Sequence, residues 1–197
     1  MSRPDPVTAK DTGTVKEPHP EGQFAALCVD CIDLGNRVKS YPGTPSYIAP
    51  SVVLVFQTGE RNSQGHLHEV SQEFTLSMGE KANLRKFLGA WRGKTYTEEQ
   101  ARAGVPLHKL VGQPALVSVE HRTSGKGRTY ATISSIGPLP KAMVAPTLPE
   151  YERPAFYEER RASYAAEVKA FKAAEAKSFE EMPAALQDED DDSGLPF

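Results

Sequence analysis

The sequence contains little that would hold a chain together covalently or place it in a membrane. Two cysteines in 197 residues are too few for a disulfide-bonded scaffold, and they fit a reducing cytosol. No stretch approaches the roughly 20 apolar residues that cross a bilayer, and the first 20 residues have no apolar signal core. We therefore expect a cytoplasmic protein without a membrane span.

The sequence also lacks a recognisable catalytic signature. No G-x-S-x-G, H-E-x-x-H or kinase motif occurs, so we predict that the protein is not an enzyme and needs no cofactor. Cys28 and Cys31 have C-x-x-C spacing, which is typical of redox and zinc sites. Both lie in a predicted strand, where residues three apart point to opposite faces. We interpret them as strand packing, with no metal site; a redox enzyme is the alternative.

The net charge of −3 conceals two halves of opposite sign. Residues 1–141 carry 17 Lys and Arg against 13 Asp and Glu, a net charge of +4. Residues 142–197 carry 6 against 13, a net charge of −7. Such an asymmetry suggests a body that binds polyanions and a tail that does not.

Hydrophobic patterning predicts one β-rich domain over residues 23–140, preceded by a flexible arm over 1–22. Apolar and alternating runs predict five strands, over 24–34, 52–57, 70–77, 115–120 and 129–136. The stretch 35–50 contains three prolines and two glycines, and we interpret it as a long loop between the first two strands.

One amphipathic helix is predicted between the third and fourth strands. Its apolar stripe consists of Leu84, Phe87, Leu88 and Trp91, and Gly93 ends it. Because Trp91 completes this stripe, we interpret it as a core residue. Capping-box patterns at residues 77–80 and 97–100 predict the starts of this helix and of a shorter one.

The predicted order β-β-β-α-β-β is that of the oligonucleotide/oligosaccharide-binding (OB) barrel. We therefore predict a mainly β, α+β fold: a five-stranded OB barrel with a helix between strands 3 and 4. Another small antiparallel barrel or an α+β sheet is the alternative. Behind the barrel we expect a Pro-rich linker over 141–154, a helical segment over 155–182 and a disordered acidic tail over 183–197.

Basic and aromatic residues concentrate in the predicted loops. Single-stranded nucleic acid is held by cations along the phosphates and by aromatic faces on which bases stack. An OB barrel binds with strands 2 and 3 and with the loops joining strands 1–2 and 4–5. The candidate single-stranded DNA ligands are Arg37, Lys39, Tyr41, Tyr47, Arg92, Lys94, Tyr96, Arg122, Lys126, Arg128 and Tyr130. Ordinary surface charges and half-buried tyrosines are the alternative interpretation.

The last residues of the chain combine an acidic run with an apolar tip. Such a peptide suits a basic-rimmed hydrophobic pocket on a partner, where a phenyl ring is buried and Arg or Lys holds a carboxylate. The predicted partner-binding residues are Asp190, Asp191, Asp192, Leu195, Pro196 and Phe197.

This tip resembles the C-terminus of bacterial single-stranded DNA-binding proteins, an acidic run followed by Pro-Phe. Three short segments, over 74–77, 83–86 and 91–93, are similar to phage or prophage relatives associated with OB barrels. The resemblance implies binding and protection of single-stranded DNA in replication, recombination and repair. It also implies that the tip recruits partner proteins, in the bacterial host cytoplasm if a phage encodes the chain.

One feature departs from the bacterial family. Residues 155–181 have helical composition, where that family has a flexible Gly/Gln-rich linker, so we do not carry over its tetramer. The alternative function is a protein- or RNA-binding adaptor without single-stranded DNA preference, with this helix docking a partner.

Overall fold

The computed structural model describes residues 17–125 and 127–180, without the side chains of 178–180. Five strands form one antiparallel sheet in the order β3-β2-β1-β4-β5. The strands are β1 (Gly22–Tyr41), β2 (Thr44–Arg61), β3 (Leu67–Thr75), β4 (Pro114–Thr123) and β5 (Thr129–Gly137). The α-helices are α1 (Asn83–Arg92), α2 (Glu98–Ala103) and α3 (Phe156–Glu180), and a 3₁₀ helix covers Leu107–Leu110.

This architecture confirms the predicted mainly β, α+β fold with a helix between the third and fourth strands. The edge strands β3 and β5 lie beside each other. Within residues 17–125 and 127–180, however, no ladder of hydrogen bonds joins them. The sheet and its helices are therefore established, and the OB barrel stays a prediction.

The predicted loop over 35–50 is wrong, because β1 and β2 continue through it as a long hairpin. Only Pro42 and Gly43 turn the chain, and Gly43 has a φ of 79°, which suits the third position of a type II turn. Pro45 and Pro50 lie on the part of β2 that extends beyond the end of β3, so β2 is an edge strand there. Proline is tolerated at an edge because no neighbouring strand needs its missing N–H.

The inner face of the sheet packs against α1. Leu84, Leu88 and Trp91 are buried there as the stripe predicts, and the Trp91 Nε1–H donates to the Pro114 carbonyl at 2.9 Å. Phe56 of β2 meets the Trp91 ring edge-on, with centroids 5.2 Å apart. This apolar layer fixes the position of α1, and Trp91 is confirmed as a core residue.

Of the two predicted capping boxes, one is confirmed. Thr97 Oγ1 accepts from the Gln100 backbone N–H at 3.2 Å, and Gln100 Oε1 accepts from the Thr97 N–H at 3.3 Å, so α2 begins as expected. The box at residues 77–80 is wrong. There α1 begins only at Asn83, after Ala82, which has no polar side chain to cap it.

The outer face of the sheet packs against α3. Tyr157 and Tyr164 lie over an apolar cluster of the sheet that consists of Ile32, Leu34, Val53 and Val55. Because both faces of β2 are covered, its apolar run over 52–56 is continuous rather than alternating. Arg153, just before α3, holds the Asp30 carboxylate with two hydrogen bonds of 2.7 and 2.9 Å.

The prediction that Cys28 and Cys31 point to opposite faces of their strand is wrong. The register of the β1–β2 pairing shifts between Cys28 and Asp30, and this shift is a β-bulge at Val29. Because the bulge adds a residue, both cysteines contact the inner core instead of pointing to opposite faces. Burial raises the pKa of the Cys28 thiol to about 12 and that of Cys31 to about 11.

Residues 17–21 of the predicted arm lie against the sheet, and residues 1–16 are outside the described residues. His19 is buried, with Nδ1 donating to the Pro20 carbonyl at 2.8 Å and Nε2 lying 2.6 Å from Thr58 Oγ1. His121 Nε2 donates to the His19 carbonyl at 2.7 Å. These bonds hold the segment across β2 and β4.

Candidate nucleic-acid interface

Two exposed tyrosines lie at the end of the β1–β2 hairpin. Tyr41 is 53% exposed and Tyr47 46% exposed, although both rings are large and largely apolar. The rings are stacked, with centroids 6.3 Å apart and planes 27° apart. Flat aromatic faces that remain in solvent can accept a third planar ring, such as a nucleobase.

A cleft of about 730 Å³ lies beside this tyrosine pair. It is bounded by the hairpin, by β3 and by the segment over 77–83 that leads to α1. Two lysines, Lys39 and Lys81, contribute to its walls, and Lys81 is exposed. Two acids, Glu73 and Glu80, line it as well. The cleft therefore combines aromatic faces with both lysines and carboxylates.

Glu73 of β3 gathers the cations of this region around one carboxylate. Its Oε1 accepts from Arg37 Nη1 at 2.9 Å and lies 3.6 Å from Lys39 Nζ. Its Oε2 accepts from Arg160 Nη2 at 2.6 Å and from Tyr164 Oη at 2.9 Å. Burial alone would raise the pKa of Glu73, but the hydrogen bonds from Tyr164 and Arg37 and the charge of Arg160 lower it.

This network changes the roles expected of Arg37 and Lys39. They lie on strand β1 rather than in a loop, and both are paired with Glu73. The side chain of Lys39 is only 14% exposed. Three cations share the single carboxylate, so the cluster keeps a positive charge. Arg37 and Lys39 are nevertheless less available to a ligand, because both already pair with Glu73.

The second predicted group lies after α1. The Arg92 guanidinium stacks 4.1 Å from the centre of the half-buried Tyr96 ring, and its Nη2 donates to the Thr95 carbonyl at 2.8 Å. Lys94 is exposed beside them. A groove of about 550 Å³ runs here along the exposed face of α1, with Lys86 and Lys94 among its lining residues. The predicted cluster is thus assembled, and it adjoins a groove.

The third predicted group lies on the β4–β5 hairpin. Arg122 and Tyr130 pair directly across the two strands, and Arg128 is exposed at the start of β5. Arg128 and Tyr130 line a hollow of about 270 Å³ together with two acids, Glu17 and Glu69. Acids outnumber Lys and Arg in the lining of this hollow, but not in the linings of the cleft and the groove described above. The hollow is therefore less suited to phosphate. Lys126 lies outside the described residues.

The outer face of β2 and β3, which the barrel prediction assigns to binding, is covered over its middle part by α3. Tyr157 and Tyr164 pack on Val53 and Val55, and Arg160 reaches Glu73. The hairpin end extends beyond this cover and bears the exposed rings of Tyr41 and Tyr47. The part of the predicted binding face that α3 leaves accessible therefore includes its hairpin end.

Sequence reasoning did not include Glu73, Lys81 and Lys86. Lys86 lies on the polar face of the predicted helix, so helical periodicity could have placed it on the same side as Ala90 and Gly93. Glu73 gave no local signal, because its partners Arg37 and Arg160 are 36 and 87 residues away in the chain.

The predicted tip, with Asp190, Asp191, Asp192, Leu195, Pro196 and Phe197, lies outside the described residues. Within the described residues, no helix is long and apolar enough to cross a bilayer. Over the same residues, no group of three His, Cys, Asp or Glu side chains is arranged to hold a metal ion. No protein-family model, curated protein or solved structure matches the chain.

Proposed function

We propose that this protein binds single-stranded DNA without sequence specificity and protects it during replication or recombination. The observation that carries the proposal is the stacked, half-exposed pair Tyr41 and Tyr47, beside a cleft with Lys39 and Lys81. Bases stack on such rings whatever their identity, because every base has a π-face. Lysines along the cleft supply the phosphate contacts, which carry no sequence information.

The sheet topology supports an OB barrel as the scaffold of this site. The edge strands β3 and β5 lie side by side, as closure into a barrel requires. In such a barrel the β1–β2 hairpin is one of the two binding loops. The exposed tyrosines therefore occupy a place that suits the proposed ligand.

Partner recruitment by the acidic tip is a second part of the proposal. Its support is the sequence alone: acidic residues over 188–192 precede Leu195, Pro196 and Phe197. An acidic run steers a segment towards a basic partner surface, and an apolar ring can then fill a pocket there. Removal of residues 195–197 should abolish partner capture while DNA binding is kept.

The position of α3 weakens the adaptor alternative, in which this helix binds a partner protein. The face of this helix that bears Tyr157 and Tyr164 is already packed against the chain's own sheet. A partner would therefore have to bind the remaining polar face of α3.

The first test is the binding of fluorescein-labelled dT oligomers at two salt concentrations, with a duplex control. Wild-type protein should prefer the single strand, and its affinity should fall steeply with salt because phosphate neutralisation releases counterions. In the double variant Tyr41→Ala/Tyr47→Ala, loss of stacking worth roughly 1–3 kcal/mol per base should weaken binding about 5- to 150-fold.

Phe156→Ala is the matched control, because this ring is exposed to a similar degree, 43%, but lies on α3. It should leave the affinity for dT unchanged. If wild-type protein shows no preference for the single strand, the proposed function is wrong and the adaptor becomes the working hypothesis. If wild-type protein prefers the single strand but the tyrosine variant binds as wild type does, the tyrosine pair is not the binding site.

A further inference from the structure

The cleft beside the tyrosine pair adjoins the groove along α1. Glu80 lines both, and the segment over 77–83 that borders the cleft leads directly into the helix that borders the groove. The cleft and the groove meet at Glu80, and we call the two together the depression; it extends from the hairpin end past the start of α1 to Tyr96.

The charges along this depression are mostly positive and exposed. Lys81 lies in the cleft, and Lys86 and Lys94 line the groove. None of these three lysines is in an ion pair within the described residues, whereas Lys39 is paired with Glu73. Two acids also line the depression: Glu73, which is paired with Arg37, Lys39 and Arg160, and the exposed Glu80 at the junction.

Small residues leave the groove open to a chain-like ligand. Its lining includes Gly89 and Ala90 of α1 and Gly93, the C-terminal cap of that helix, which have small side chains or none. Arg85 secures the two walls, because its Nη2 donates to the Tyr96 carbonyl at 2.7 Å and to Glu98 Oε1 at 2.8 Å. Tyr96, with Arg92 stacked on it, closes the far end.

We propose that a bound single strand runs from Tyr41 and Tyr47 along this depression, with its phosphates on Lys81, Lys86 and Lys94. This path rests on the proposed function and gives it a direction. The two other routes are less favourable. The outer face of the sheet is covered by α3. The hollow at the β4–β5 hairpin has two acids, Glu17 and Glu69, and one arginine, Arg128, whereas cations outnumber acids along the cleft and the groove taken together.

The test compares two lengths of dT, about 4 and about 16 nucleotides, which span the site sizes of single OB domains. The double variant Lys81→Gln/Lys86→Gln should weaken binding of the longer oligomer. It should also reduce the slope of log K against log salt by about 1.4, at about 0.7 per lost phosphate contact on a single strand. The shorter oligomer, held at the tyrosine pair, meets Lys81 but not Lys86. Its binding should therefore weaken less, and its slope should fall by only about 0.7.

Glu80→Gln should have the opposite effect, tighter binding that is larger for the longer oligomer, because it removes a negative charge where the cleft and the groove meet. A general loss of folding could not produce this gain. The matched control is Lys169→Gln/Lys172→Gln on the exposed side of α3, which removes two positive charges away from the path.

Each outcome separates the path from the function. If the Lys81/Lys86 variant keeps the wild-type salt slope while Tyr41→Ala/Tyr47→Ala loses affinity, the path is wrong and the function stands. If Arg122→Gln/Arg128→Gln reduces the slope instead, the strand crosses the β4–β5 hairpin. If wild-type protein does not bind dT, both proposals fail.

Discussion

The two faces of the sheet are covered by helices in different ways. On the inner face, α1 contributes Leu84, Leu88 and Trp91 to a core that is almost entirely apolar. On the outer face, α3 contributes two tyrosines, and the contact is completed by the ion pairs of Glu73 with Arg37 and Arg160.

This difference separates stability from recognition. Apolar burial is non-directional and favourable in proportion to its area, so the inner face should carry most of the folding free energy. Partly exposed ion pairs contribute less to stability, but they set the charge of the surface beside them. The proposed DNA site adjoins the polar outer contact at Glu73, where a change in charge can reach it.

The largest effect should follow from opening a cavity on the inner face. Phe56→Ala removes a fully buried ring that contacts both Phe87 and Trp91. The free energy of unfolding should fall by about 3–5 kcal/mol, as for other buried aromatic truncations. Urea unfolding followed by Trp91 fluorescence measures this, and Tyr47→Ala, at an exposed ring, should cost far less. Equal losses in the two variants would contradict the assignment of the inner core.

An intermediate effect should follow from Glu73→Gln on the outer face. The substitution keeps the shape but removes the charge that Arg37, Lys39 and Arg160 share. Weakening these hydrogen bonds between charged groups should lower the free energy of unfolding by about 1–3 kcal/mol. Affinity for dT should rise, because Arg37 and Lys39 are released beside the tyrosine pair. Opposite signs for stability and binding are thus the expected result.

The stability effect of Glu73→Gln should also depend on pH. The pKa of Glu73 is lowered from its ordinary value of 4.5 in the folded protein. Its contribution is therefore complete above that value and is lost as the pH falls towards the folded pKa. The difference between wild type and Glu73→Gln should shrink below about pH 4.5. The control Glu159→Gln, at an exposed position of α3, should show neither the stability loss nor the gain in affinity.

The sequence predicted those features that depend on local periodicity. The helical spacing of Leu84, Leu88 and Trp91 and the alternation in β4 agree with the structure. In β5 the predicted alternation is interrupted by a register shift, so that Ile133 and Ile136, three residues apart, both lie in the inner core. The loop predicted over 35–50 failed because proline and glycine were read as breakers. The edge position of Pro45 and Pro50 depends on where β3 ends, which is a tertiary property.

The candidate site was predicted in part for the same reason. Tyr41 and Tyr47 were found by their residue type, and their stacking results from the register of the hairpin. The cover provided by α3 and the collection of cations by Glu73 depend on contacts between distant parts of the chain. Composition and spacing carry no signal for such contacts.

The smallest effect concerns the bulge at Val29, which decides the face to which Cys31 belongs. The bulge directs both Cys28 and Cys31 to the inner core, while Val29 packs with the outer cluster. Without it, Cys31 would lie on the opposite face from Cys28, because side chains alternate along a regular strand. The rate at which Cys31 reacts with a thiol reagent therefore shows on which face its side chain lies, without a substitution in either core.

Both thiols should react slowly with iodoacetamide in the folded protein. The pKa of Cys31, raised by burial from 9.0 to about 11, leaves about 100-fold less of the reactive thiolate at neutral pH. Labelling should therefore be at least about 100-fold faster in urea than in buffer. The variants Cys28→Ala and Cys31→Ala assign the rate to single residues. A fast reaction of Cys31 in buffer would place it outside the core and revive the redox interpretation, whereas slow reaction of both leaves this pair as packing on the inner face.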